Sequence, residues 1–63
     1  MTLPAHKAAL LILAQAETVK VEAMKAENQS RTRRGLSLAY TEDAFMECAN
    51  TLERLAREMI EYP

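Results

Sequence analysis

Apolar positions along the chain fall into two periodic runs, separated by a segment that follows neither. In the first run Ala5, Ala9, Ile12, Ala16, Val19, Ala23 and Ala26 recur at alternating steps of four and three, the spacing that keeps one stripe of a helix against a neighbour. Most of the stripe is alanine, so a second helix can approach it closely. Glu17, Lys20, Glu22, Lys25 and Glu27 mark a charged opposite face, whereas residues 8–14 are apolar all round, as expected of a helix that touches several neighbours. This pattern predicts a helix from about residue 3 to about residue 29, with Thr2 as its N-cap and Pro4 in its first turn.

The second run has a sharper start. Thr41 is a suitable N-cap, Glu42 and Asp43 suit the positive end of the helix dipole, and Tyr40 can staple onto Phe45. Its apolar stripe is Phe45, Cys48, Leu52, Leu55, Met59 and Tyr62, with Ala49 and Ala56 beside it. Glu47, Asn50, Glu53, Arg54, Arg57, Glu58 and Glu61 face water, and the predicted helix spans about 42–62. The fold expected is all-α: one domain over residues 1–63, built as an antiparallel two-helix hairpin with a connecting segment at about 30–41. Two helices leave a surplus of apolar surface on the first. Self-association follows, most simply into a four-helix-bundle dimer or a higher homo-oligomer, through Ala5, Ala9, Ile12, Ala16, Val19 and Ala23 together with Leu10, Leu11 and Leu13.

Size and composition sharpen this expectation. A chain of 63 residues buries only about 60% of the surface its unfolded form exposes, which leaves it marginal alone. Short chains meet that problem with disulfides, a structural metal or association. The single cysteine, Cys48, excludes an internal disulfide, and His6 lies too far from it in sequence for a zinc-ligand spacing. No metal or cofactor is therefore expected. Lys7, the apolar run to Ala14 and the Ala14-Gln15-Ala16 triplet imitate a secretory signal. The helical pattern continues past them, so a core helix is the preferred reading. The run is too short to cross a bilayer, and a lone thiol fits a reducing, cytoplasmic compartment. A net charge of −1 argues against a DNA coat, which needs a strong positive excess.

Catalytic signals are missing: the chain has no Gly-rich phosphate loop, no Glu-x-x-His metal pair and no nucleophile beside a base. The expectation is a non-enzymatic protein. What stands out is the segment between the two runs, where Arg31, Arg33 and Arg34 sit close to Ser37, Tyr40 and Thr41. Its plain reading is a polar turn in which Gly35 ends the first helix and basic side chains sit at that helix's negative end. The sharper reading is a ligand site. Arginine forks grip phosphates, Ser37 and Thr41 supply hydroxyls, and Tyr40 offers a face on which a base can stack. In an oligomer such loops could meet and pool their charge, although Glu42 and Asp43 would repel an anion placed on the second helix's start.

The stretch "RGLSLAYT", Arg34 to Thr41, resembles the R-x-x-S-L-A-x-T element in the helical-hairpin domain of phage-encoded cyclic-nucleotide sponges, of the anti-CBASS and anti-Thoeris type. The matching positions are Arg34, Ser37, Leu38, Ala39 and Thr41; Cys48-Ala49-Asn50 is similar to an aromatic-Ala-Asn of that family once one residue is inserted. The resemblance implies a homo-oligomer that sequesters a cyclic oligonucleotide and so starves a host immune effector, with Arg31, Arg33 and Arg34 on phosphates. The alternative is a small helical regulator that binds a host protein through its Leu10, Leu11, Leu13 surface. An RNA-binding bundle ranks below both, because acidic residues interrupt every basic stripe.

Overall fold

The computed structural model describes residues 5–61. It is an all-α hairpin of two helices, α1 (Ala5–Arg33) and α2 (Glu42–Glu61). The expected roles of Thr2, Pro4 and Tyr62 fall outside the described residues. Helix α1 does not stop near Gln29 as the sequence pattern implies; it continues four residues further, to Arg33. Nothing in Ser30-Arg31-Thr32-Arg33 prevents helix, and the first residue able to end it is Gly35, which adopts φ 72. Leu36 N–H then reaches back to the Arg31 carbonyl (2.8 Å) and Gly35 N–H to the Thr32 carbonyl (3.1 Å), the paired bonds of a Schellman stop.

The two helices meet along a stripe of α1 made of Leu10, Ala14, Glu17, Val21, Met24, Asn28 and Arg31, each buried or half-buried. This stripe also recurs at steps of four and three, but it is not the alanine seam read from the sequence. Leu10 is a second correction: grouped with Leu11 and Leu13 as a self-association patch, it is only 4% exposed inside the hairpin. The alanine seam points elsewhere, and its large members Ile12 and Val19 are 66% and 69% exposed. On α2 the stripe behaves simply. Cys48 and Leu55 are buried, and Phe45, Leu52 and Met59 are half-buried, because α2 has one apolar side and one neighbour.

Leu10, Met24, Cys48 and Leu55 form the core. Cys48 Sγ lies 3.8 Å from Met24 Sδ across the helix interface. The nearby Glu17 carboxylate, together with burial, holds the Cys48 thiol above its ordinary value of 9.0. Glu17 keeps a cation in reach through Lys20 at 3.9 Å. No described helix is long and apolar enough to cross a membrane.

The hairpin is a single layer measuring 49 × 20 × 10 Å. Its radius of gyration, 15.2 Å, exceeds the roughly 11 Å of a compact domain of this length. Its accessible surface, 5047 Å², exceeds the roughly 4,100 Å² expected of a folded monomer of its mass.

Core and surface separate cleanly in a substitution test. Leu55→Ala should destabilise the fold by about 2–5 kcal/mol, whereas Ile60→Ala, at a position 83% exposed, should stay within about 0.5 kcal/mol; urea denaturation followed by circular dichroism reads both. The raised Cys48 thiol makes a pH prediction as well. Its folded value lies above the unfolded one, so its contribution to stability is full below the ordinary thiol value and is lost as pH rises through the folded value. Stability should therefore fall in the alkaline range from about pH 9 upward, and Cys48→Ala should flatten that slope. A Cys48→Ala protein with an unchanged alkaline slope would exclude the thiol as its source.

Candidate functional site

The connector, residues 34–41, is held by side chains of α1 rather than by regular structure. Asn28 does most of this. Its Oδ1 accepts from the backbone N–H of Ala39 (3.1 Å) and of Tyr40 (3.0 Å), and its Nδ2 donates to the Tyr40 carbonyl (2.8 Å). One turn further along the same face, Arg31 Nε donates to the Ser37 carbonyl at 2.6 Å. These bonds satisfy backbone groups that a loop without strand or helix would otherwise leave to water. At the far end the Thr41 carbonyl accepts from Ala44 (3.1 Å) and Phe45 (3.4 Å), starting α2, whose first turn carries Glu42 and Asp43.

The three arginines have different fates. Arg31 and Arg34 both face Glu27 Oε1, each with a guanidinium nitrogen at 3.9 Å, and Arg34 Nε also donates to the Ser30 carbonyl at 3.3 Å. Such long, partly exposed pairs contribute little stability individually. They do orient the two guanidiniums toward the protein itself. Among the described residues the Arg33 side chain takes part in no hydrogen bond or ion pair. It lines an open groove of about 430 Å³ with Asn28, Gln29, Thr32 and Leu38.

The remaining predicted residues lie around the connector without converging on that groove. Ser37 and Tyr40 are exposed, and both are held through backbone groups; Thr41 lies at the start of α2. The Arg31, Arg33 and Arg34 charges are matched by Glu27, Glu42 and Asp43, so this end of the hairpin is neutral in sum.

Sequence reasoning passed over Asn28, the residue that organises the loop. A faint signal existed: asparagine is a poor helix former, yet it sits inside a helix three residues before Arg31 and on its face. Among the described residues there is no cluster of His, Cys, Asp and Glu able to hold a metal ion. No protein-family model matches the chain, and comparison with curated proteins and with solved structures returns no significant match.

Removing the Asn28 clamp should loosen the connector specifically. Asn28→Ala is expected to cost about 1–3 kcal/mol, the penalty for stranding hydrogen-bonding groups. Amide exchange at Ala39 and Tyr40 should accelerate while exchange in mid-α2 follows only the global loss of stability. Uniform acceleration everywhere would mean that Asn28 supports the hairpin as a whole and not the loop.

Proposed function

We propose that the chain is a non-enzymatic, self-associating binding protein that sequesters a nucleotide second messenger at the connector end of its hairpin. The observation that carries the binding half is Arg33: an arginine that lines an open groove together with the apolar Leu38 and whose guanidinium has no partner among the described residues. A phosphate and an adjoining base require that pairing of a fork donor with an apolar surface. The resemblance of Arg34–Thr41 to the sponge element supports the same end of the molecule. Under this reading the protein is phage or mobile-element encoded and acts in the host cytoplasm by removing a signal.

Self-association is supported by the open seam, by the one-layer shape and by about 1,000 Å² of surface beyond that of a compact monomer. A regulator that docks on a host protein is the second reading, favoured by the exposed Leu11 and Leu13. Solution mass separates the two: a closed oligomer supports the sponge, and a monomer supports the regulator.

Calorimetric titration with a panel of cyclic di- and trinucleotides is expected to give binding at micromolar concentration or tighter. Arg33→Ala should weaken it by at least about tenfold, the value of a charge-assisted hydrogen bond. Arg57→Ala, at an exposed position on α2 remote from the connector, should leave it unchanged. No heat across the panel at hundreds of micromolar would overturn the nucleotide reading.

A further inference from the structure

Helix α1 has two apolar faces. At 100° per residue, the stripe against α2 and the open seam lie roughly 140° apart, so one neighbour cannot cover both. We propose that the seam is covered by the same seam of a second copy, running antiparallel, with the twofold axis between Glu17 and Thr18. The inference rests on the self-association proposed above and adds to it a direction, a register and a consequence for the binding sites.

Side-chain size sets the register. With the axis between Glu17 and Thr18, Ile12 falls opposite the partner's Ala23, Val19 opposite the partner's Ala16, and Ala9 opposite the partner's Ala26. Ile12 and Val19 each meet an alanine, so no layer stacks two large side chains, the four central layers have similar volume, and only the outer Ala9–Ala26 layers are smaller. The parallel arrangement sets Ile12 on Ile12 and Val19 on Val19 between layers of paired alanines. Wide layers would then alternate with voids, each costing contact energy.

Charge gives the direction. In the antiparallel pair Glu22 flanks the partner's Gln15, and the Lys20 stem lies along the partner's Leu13, which is 54% exposed in the hairpin. The parallel pair sets Glu22 beside the partner's Glu27 on both sides of the seam, a like-charge contact of the kind that decides coiled-coil orientation. It also brings both arginine clusters to one end. The area fits: the surplus of about 1,000 Å² is what each partner contributes to a standard interface, about 800 Å².

In this arrangement the two connectors lie at opposite ends of the assembly. Arg33 is about 23 Å from the axis along α1, so the two Arg33 positions are about 46 Å apart. Charge is not pooled between these protomers. Each hairpin carries its own site, and the pair takes one ligand per protomer.

Cysteine trapping tests the direction. Ala9→Cys and Ala26→Cys are made separately, one of them 15N-labelled, mixed and oxidised; both positions are exposed in the hairpin, and the native Cys48 is buried. The expected product is a disulfide joining one Ala9→Cys chain to one Ala26→Cys chain. Disulfides of each variant with itself would overturn the antiparallel direction and leave self-association standing. A dimeric mass with no disulfide would overturn this register alone. No disulfide together with a monomeric mass for the unaltered chain by ultracentrifugation at tens of micromolar would overturn both. As a second measurement, Val19→Glu, fold-neutral because the position is 69% exposed, is expected to return the assembly to a monomer; an unchanged mass would show that the seam is not the interface.

Discussion

Two helices share only one interface, and that constraint governs the rest of this molecule. A hairpin one layer thick can bury a single stripe from each helix. Helix α2 has one stripe and is satisfied. Helix α1 has two and cannot be, so Ile12 and Val19 stay in water while Leu10 and Met24 do not. The core that results, four residues among those described, is small for an independent fold. Burial available beyond the hairpin therefore matters more to this chain than any single contact within it.

The connector solves a different problem with different means. Reversing the chain over eight residues leaves backbone groups with no regular partners. Asn28 and Arg31 supply those partners from the last turns of α1, while Gly35 supplies the positive φ that lets the helix end. Arg31 and Arg34 thus have structural occupations, and Arg33 does not. A basic cluster that reads as uniform in the sequence is divided in space into residues that hold the fold and one that faces outward.

What could be read from the sequence follows from this division. The all-α hairpin and the apolar side of α2 were legible, because one stripe against one neighbour leaves an unambiguous period. The face of α1 used inside the hairpin was not. Two stripes with the same four-three spacing coexist there, and periodicity alone does not say which one meets α2. The stripe richer in recognisable apolar residues was the alanine seam, whereas the one buried includes Glu17, Asn28 and Arg31. The end of α1 was placed too early because Ser30 and the arginines look like loop, although only Gly35 obliges the helix to stop. Asn28 was invisible for a related reason: its partners are backbone groups, and backbone groups leave no mark in a sequence.

The Asn28 clamp has a consequence for how this chain can vary. One amide must meet two consecutive N–H groups and the carbonyl of the second, at Ala39 and Tyr40, while Arg31 reaches Ser37. An inserted or deleted residue between Gly35 and Tyr40 would shift those groups by about 3.5 Å, more than a hydrogen bond tolerates. The side chains of the connector are exposed and replaceable, but its length is not. New recognition chemistry can be written into this loop only by substitution, on a backbone whose shape is already set.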